Sequence, residues 1–289
     1  MWTVETGQLI KSLDAHFARI NQIKPLICNE WNCVITSSMD RTIKVWNLNN
    51  IFEEVHHIDR LETQIDSISM SADTGLAVTA SRGCIGVWDI LTGKLQARLA
   101  NSAYGAIVSH AIVTKKGDYI LAGESGFIIY WKVSDKTVAF NEKQPNILQV
   151  MLFEEEQKSL VISQILPDSA AKCVARTMPA GQTLYEFSFP FKTYKNLILT
   201  SDGNFFIGYG IEKGKDSLYC YSTATGELNQ KFQIKYPNFK EASMIVSMPN
   251  KPFEIGLIDQ DGGCIINSST KKLDRCIPTW GGKSYISWP

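Results

Sequence analysis

The sequence predicts an all-β fold made of one repeated, sheet-forming unit. A tryptophan-centred phrase recurs roughly every 43 residues, at Trp2, Trp46, Trp88 and Trp131. Glycine-rich turns separate short stretches of alternating apolar residues, and no segment of helical length shows helical periodicity. A unit of this length with an aromatic residue on its third strand is typical of a WD-repeat β-propeller blade.

The turns carry the repeat into the second half of the chain, where the tryptophan is missing. A Thr-Gly pair follows the aromatic position at Thr6-Gly7, Thr92-Gly93 and Thr225-Gly226, the last of these after Tyr221. Glycine supplies the positive φ that a tight hairpin connection needs. One more step of the period reaches Ile266, so the pattern predicts a blade there as well.

Further turn residues mark the connection between the first and second strands of each unit. They lie at Asp73-Gly75, Lys116-Asp118, Asp202-Gly203 and Pro249-Asn250. We therefore expect one propeller domain over residues 1–289, of the seven-bladed type with one blade incomplete. Half a blade fills residues 1–13, a partial blade fills residues 280–289, and full blades start near residues 14, 58, 99, 142, 191 and 235.

Composition narrows the classes of partner. Lys and Arg total 29 and Asp and Glu total 29, which gives zero formal net charge, whereas a nucleic-acid binder normally carries a basic excess. The N-terminus lacks the apolar run of a signal peptide, and no apolar stretch is long enough for a membrane span. Seven cysteines without framework spacing indicate a reducing compartment. We expect a cytoplasmic protein that binds neither nucleic acid nor membrane.

One polar set has a specific spacing. In the first full blade, His16, Thr36, Asp40 and Trp46 occupy the four positions that WD repeats join by hydrogen bonds. Asp40 would accept from the His16 ring, His16 would reach the Thr36 hydroxyl, and Thr36 would reach the Trp46 indole. Because each of these groups is buried, each needs a partner, and the chain of bonds would lock the strands of the blade together.

The alternative for this set is a catalytic relay or a metal site. Thr36, His16 and Asp40 have the residue types of a nucleophile–base–acid triad, but their spacing is that of a structural network and no oxyanion-hole motif is visible. We therefore predict no catalytic residues, no metal site and no cofactor. The other blades are expected to have lost the network, with Leu61 and Arg82 at the His16 and Asp40 positions of the second blade and Ser125 in the third.

Three other patterns suggest sites and are interpreted as structural. Gly281-Ser284 resembles the end of a phosphate loop, but the required first glycine is Ile277. Cys28 and Cys33 flank a turn that would place them opposite each other across two strands, either as half-buried thiols or as a redox-labile bridge. His56-His57, at a blade junction, is expected to be solvated.

Partner contacts are expected on loops, because binding residues concentrate where loops leave a rigid scaffold. The segments Asn47-Ile51, Lys143-Pro145 and Tyr236-Lys240 are the candidates, with Tyr236 and Phe239 as anchors since aromatic residues dominate interface energies. The alternative is that these two rings fill a blade junction.

Several phrases outside the repeat point to a family. QPNI, FPFK, YPNFKE, LIDQD and WGG, together with the phrases around VWNL and VWDI, resemble the C-terminal WD-repeat region of the NACHT and WD repeat domain-containing proteins over essentially the whole chain. The resemblance implies a cytoplasmic scaffold or sensor in which an upstream NACHT module binds nucleotide and the propeller binds partners. The residues of that module do not occur in this sequence, and Met1 directly before Trp2 suggests a fragment of a longer protein.

The sequence therefore predicts a non-enzymatic protein–protein interaction scaffold, the partner-binding part of a NACHT-WD type signalling protein. Two alternatives remain open. One is a propeller enzyme with a site in its central channel, for which the four histidines offer little material. The other is a structural repeat region with no partner of its own.

Overall fold

The computed structural model describes two compact units, residues 1–143 and 144–289. Strands and turns account for almost all of the described chain, and none of the described residues is helical. Among the residues that the structure describes, no helix is long and apolar enough to cross a membrane. The residues described are 9, 11–28, 31–49, 53–58, 65–71, 73–90, 92–99, 108–124, 126–153, 157–163, 170–191, 193–233, 244–248, 251–258, 262–267 and 272–278.

The first unit contains three antiparallel sheets of four strands, each formed by consecutive strands in chain order. The first sheet comprises β1 (Ile20–Cys28), β2 (Trp31–Ser38), β3 (Ile43–Asn47) and β4 (Glu53–Ile58). The second comprises β5 (Ile65–Met70), β6 (Leu76–Ser81), β7 (Cys84–Asp89) and β8 (Leu95–Leu99). The third comprises β9 (Val108–Val113), β10 (Tyr119–Glu124), β11 (Phe127–Lys132) and β12 (Thr137–Lys143).

The second unit repeats this architecture in three further sheets. The fourth sheet comprises β13 (Ile147–Phe153), β14 (Lys158–Ser163), β15 (Ala171–Thr177) and β16 (Thr183–Phe189). The fifth comprises β17 (Thr193–Leu199), β18 (Phe205–Glu212), β19 (Lys215–Ser222) and β20 (Leu228–Gln233). The sixth comprises β21 (Met244–Met248), β22 (Lys251–Ile258), β23 (Gly262–Asn267) and β24 (Lys272–Pro278).

Glycines in the predicted turns have the left-handed backbone that the hairpins require. Gly75 and Gly117 have φ values of 66° and 72° between first and second strands, and Gly93 and Gly226 have 68° and 72° between third and fourth strands. An L side chain is strained in this region, which explains why glycine stands at the same place in successive units.

A register shift marks the same position in all six sheets. On the third strand, the pairing with the fourth strand slips by one residue at this position, which carries the tryptophan in the first three sheets. Because a bulge of this kind is fixed by backbone hydrogen bonds rather than by side chains, it identifies the equivalent residue where the tryptophan is absent. The six residues are Trp46, Trp88, Trp131, Arg176, Tyr221 and Ile266.

The apolar core lies between successive sheets within each unit. In the first unit, one cluster joins the first and second sheets through residues such as Ile35, Ile68 and Trp88, and another joins the second and third. In the second unit, clusters join the fourth to the fifth sheet and the fifth to the sixth. The strands are therefore held by face-to-face packing of alternating apolar side chains.

Polar side chains on the first strands bond to the backbone of the next first strand. Asn21 Nδ2 donates to Ile65 O at 2.7 Å in the first unit. In the second unit, Gln149 Nε2 donates to Leu197 O at 2.8 Å and its Oε1 accepts from Leu197 N–H at 3.2 Å. Asn196 Nδ2 then donates to Ile245 O at 3.1 Å. Each of these side chains fills backbone bonding capacity that the edge of the next sheet leaves open.

The cysteine prediction for the first hairpin is wrong. Cys28 pairs with Trp31, and Cys33 pairs with Leu26, so the two cysteines are not opposite each other. The strands continue closer to the turn than the sequence suggested, which shortens the connection and moves the register by two residues. Cys33 is buried, with 1% of its surface exposed. The expected single domain and its blade boundaries remain a prediction, since each unit is defined by its own contacts.

Candidate functional site

The four polar residues singled out in the first repeat lie at one end of the first sheet. Thr36 lies on β2 and Trp46 on β3, His16 precedes β1, and Asp40 lies in the β2–β3 turn. The Trp46 indole Nε1–H donates to Thr36 Oγ1 at 3.0 Å, and Thr36 Oγ1 lies 2.7 Å from His16 Nε2. His16 Nδ1 lies 3.0 Å from Asp40 Oδ2. The structure therefore brings all four side chains into one hydrogen-bonded chain.

Three further residues, Thr42, Phe17 and Ser38, hold Asp40 in place. Thr42 donates to Asp40 Oδ1 from its N–H at 3.0 Å and from its hydroxyl at 2.6 Å, and Phe17 N–H donates to Oδ2 at 3.0 Å. Ser38 Oγ accepts from Asp40 N–H at 3.1 Å. Sequence reasoning missed these partners, although a hydroxyl residue two positions after an aspartate in a tight turn is a known signal for such bonds.

Hydrogen bonding controls the charge of Asp40. Burial alone would raise its pKa, but the bonds from Thr42 and from Phe17 N–H, with a smaller effect of the adjacent His16 ring, lower the pKa from 3.8 to about 2. The carboxylate is therefore ionised at neutral pH and accepts every bond that reaches it.

The arrangement assigns the protons of the network. Asp40 can only accept, so His16 Nδ1 carries a hydrogen and points it at Asp40 Oδ2 and Thr42 Oγ1, 2.8 Å away. His16 Nε2 then accepts from the Thr36 hydroxyl, whose oxygen receives the Trp46 N–H. The His16 side chain is 0% exposed and Thr36 is 5% exposed, so a substrate cannot reach this hydroxyl. The set acts as a brace between strands.

The second sheet keeps part of this arrangement. Trp88 Nε1–H donates to Thr79 Oγ1 at 3.0 Å, so the expectation that the network is wholly lost outside the first blade is wrong for this link. The two residues are 9 positions apart, against 10 for Thr36 and Trp46, because the turn between the strands is shorter. Arg82, expected at the Asp40 position, is exposed in that turn.

The third sheet has the tryptophan without its acceptor. Ala122 takes the place of Thr36 and Thr79 in the strand register, and the buried Trp131 Nε1–H meets no acceptor among the described residues. A buried donor without a partner costs stability. Leu61 and Ser125, the other positions considered for the network, lie outside the described residues.

An arginine fills the tryptophan position of the fourth sheet, which the sequence pattern did not reveal. Arg176 is 2% exposed, and its Nη1 donates to Gln144 Oε1 at 3.2 Å. Gln144 Nε2 in turn donates to Ser163 Oγ at 3.2 Å. A polar chain therefore persists here with different residue types, and it links β14, β15 and the segment before β13.

The fifth sheet uses tyrosine and phenylalanine instead. The Tyr221 hydroxyl donates to Ser188 O at 2.7 Å, which ties this sheet to the last strand of the fourth. The Tyr221 ring stacks on Phe187 with centroids 4.4 Å apart and meets Phe189 edge-on at 5.0 Å. Aromatic packing here connects the sheets at the position where the first sheet has hydrogen bonds.

The remaining residues that the sequence indicated as sites are only partly within the described residues. Tyr236 and Phe239, with residues 236–240, lie outside the described residues, as do Gly281-Ser284 and the His57 side chain. Lys143 and Pro145 are exposed, whereas Gln144 between them is buried. Within the described part of the chain, no three or more His, Cys, Asp and Glu side chains come together in a way that could hold a metal ion.

Two known families match the sequence of this chain. Residues 55–286 match the family described as NWD2 C-terminal beta-propeller, and residues 7–47 match the WD domain, G-beta repeat. The chain belongs to the NWD2 C-terminal beta-propeller family. The NWD2 propeller match and the WD match together confirm the resemblance to the C-terminal WD-repeat region of NACHT and WD repeat proteins, and they confirm the all-β propeller fold. No curated protein matches the chain.

Proposed function

We propose that this chain is a non-enzymatic protein-interaction scaffold, the partner-binding part of a NACHT-WD type signalling protein. WD-repeat propellers generally mediate protein–protein interactions and are typically non-enzymatic. The observation that supports the proposal most directly is the state of His16, Thr36 and Asp40. Their polar atoms form hydrogen bonds with one another and with neighbouring groups, which makes a rigid frame for the loops. No accessible nucleophile is left in this set of residues.

Charge and cysteine content support the rest of the proposal. A net charge of zero gives no long-range attraction for phosphates, so proteins are favoured over nucleic acid as partners. Cys173 and Cys220 are buried free thiols, which suits a reducing compartment such as the cytoplasm. Nucleotide would act only through a NACHT module outside this sequence, and the chain needs no cofactor of its own.

Affinity capture from a cell extract followed by binding to the purified partner tests the scaffold function. We expect a saturable interaction with one or more proteins, and we expect hydrogen-exchange protection in segments 47–51, 143–145 or 236–240. Tyr236→Ala and Phe239→Ala would weaken binding if those rings are anchors. Catalytic turnover by the purified chain in hydrolase and lyase assays would overturn the proposal, as would MgATP binding that Lys283→Ala abolishes.

A further inference from the structure

The first sheet presents an exposed apolar patch beside the buried network. Phe17 is 101% exposed, Met39 is 46% exposed and Ile23 is 60% exposed. Phe17 follows His16 directly, and Met39 directly precedes Asp40, so the patch is formed by the two segments that the network joins. The 3.0 Å bond from Phe17 N–H to Asp40 Oδ2 brings the segments of Phe17 and Met39 together, and exposed apolar side chains on adjoining segments are typical of interaction sites.

The backbone under the patch is fixed. Phe17 N–H donates to Asp40 Oδ2 at 3.0 Å, and Met39 N–H donates to Arg19 O at 2.9 Å. Arg41 is held at a φ of 68°, a conformation that non-glycine residues seldom adopt, while its N–H donates to Ser38 O at 3.2 Å. A partner would thus meet aromatic and thioether groups whose main chain is already ordered, which lowers the entropic cost of binding.

The charges around the patch are mainly basic. Arg19, Lys24 and Arg41 are exposed, and Asp14 is the one exposed acid in residues 11–24 and 38–42. The Asp40 carboxylate is occupied by hydrogen bonds and its side chain is only 9% exposed. Arginine and methionine are both enriched at protein interfaces, and exposed guanidinium groups pair with carboxylates.

We propose that the surface formed by Phe17, Arg19, Met39 and Arg41 binds an acidic peptide segment that carries an apolar anchor residue. The anchor packs on Phe17 and Met39, and the flanking carboxylates pair with Arg19 and Arg41. This proposal rests on the scaffold function and specifies the chemistry of its partner.

Selection from a displayed random-peptide library against the whole chain tests it. We expect the enriched peptides to combine Asp or Glu with Leu, Phe or Trp. Synthetic copies should lose about tenfold or more in affinity for Phe17→Ser and for Met39→Ser, since central aromatic contacts dominate binding. Arg19→Glu and Arg41→Asn should weaken the same peptides, and rising salt should weaken their binding to the wild-type chain.

Phe127→Ser is the matched control, because Phe127 is a 36% exposed ring on the third sheet, away from the patch. It should leave peptide affinity unchanged. Each variant should also keep the thermal unfolding midpoint of the wild type, because the altered side chains are exposed and the bonds of Phe17 and Met39 come from their backbone.

The outcomes separate the two proposals. Peptides that bind the chain but ignore Phe17→Ser and Met39→Ser would overturn this surface and leave the scaffold function standing. Basic or neutral peptides enriched at the patch would overturn the acidic partner. Concentration-dependent self-association abolished by Phe17→Ser would assign the surface to a second copy of the chain. A complete failure to select peptides, together with no partner in affinity capture, would count against both proposals.

Discussion

The Asp40 carboxylate joins two pieces of backbone: its own turn, through Thr42, and the segment before β1, through Phe17 N–H and the His16 ring. Four hydrogen bonds from Thr42, Phe17 and His16 end on its two oxygens. Removing the carboxylate leaves these donors without an acceptor in a partly enclosed site. The cost of such an orphaned buried donor exceeds the value of the bond itself.

Asp40→Ala is therefore expected to lower the free energy of unfolding by about 1–3 kcal/mol. Asp135→Ala is the matched control, because Asp135 accepts from Thr137 N–H and from the Thr137 hydroxyl in the same way but lies on an exposed turn, where its charged partner is the solvent-exposed Lys132 at 3.1 Å. The control should change stability little. Denaturant unfolding of both variants measures the difference, and equal small effects would refute the role given to Asp40.

The same residue predicts a pH dependence. The pKa of Asp40 is lowered from 3.8 to about 2 in the folded chain, so between those values the unfolded chain binds a proton that the folded chain does not. The stabilisation is complete above roughly pH 4 and is lost as the pH falls towards about 2. Asp40→Asn cannot titrate, so the stability gap between wild type and variant should shrink over this window. A gap that stays constant would contradict the assignment.

The sequence allowed the first network to be predicted because the spacing of His16, Asp40 and Trp46 matches one geometry and few others. It did not reveal Arg176 at the tryptophan position, because that equivalence depends on a backbone register shift and not on residue type. The cysteine pairing failed for a related reason: turn length, which sets register, is ambiguous when strand and turn residues share the same composition. Exposure of Phe17 likewise depends on contacts between distant segments.

At the scale of the strand, the tryptophans of the first and third sheets provide a matched pair. Trp46→Phe removes the donor to Thr36 and disturbs the bond from Thr36 to His16, whereas Trp131→Phe removes an N–H that has no acceptor among the described residues. Both changes lose similar apolar volume. We expect Trp46→Phe to be more destabilising by about 1–3 kcal/mol, measured by thermal or denaturant unfolding. Equal losses would show that the indole bond contributes nothing.

Two glycines of β18 make room for the aromatic packing of the second unit. A Cβ at Gly208 would overlap the Phe189 ring, and a Cβ at Gly210 would overlap Phe191. The phenylalanines of FSFPF therefore depend on residues of the following sheet that lack side chains. Glycine normally weakens a strand, and here its absence of a side chain is what allows the rings to pack.

Gly208→Ala should destabilise the chain by about 1–3 kcal/mol, because a buried ring must move to admit the methyl group. Gly203→Ala is the comparison: a Cβ there meets nothing within 4 Å, and only its φ of 74° opposes the substitution. That backbone strain is worth about 1–2 kcal/mol or less. If Gly208→Ala is tolerated while near-ultraviolet circular dichroism stays unchanged, the aromatic cluster is looser than the structure indicates.

At the scale of the whole unit, the bonds between successive first strands give a direct test of coupling. Gln149→Ala removes both side-chain bonds to Leu197 on the next sheet, and it leaves Leu197 N–H with the bond to Asn196 Oδ1 at 2.8 Å. We expect the Leu197 amide to exchange with solvent faster, although the substitution lies on another sheet. Gln182→Ala, at an exposed position of the fourth sheet, should leave Leu197 unaffected. Hydrogen exchange read residue by residue decides between these outcomes.

These bonds also determine how a unit would respond to a pulling force. A sheet that detached alone would leave backbone groups of its neighbour's first strand without their side-chain partners. The bonds from Gln149 to Leu197 and from Asn196 to Ile245 are of this kind. Opening one sheet thus raises the energy of the next, and the intermediate with a single sheet removed is disfavoured. Outer strands such as β12, largely exposed, can fray without this penalty. Under load, each unit should therefore yield in one large extension step preceded only by small movements of its outermost strands.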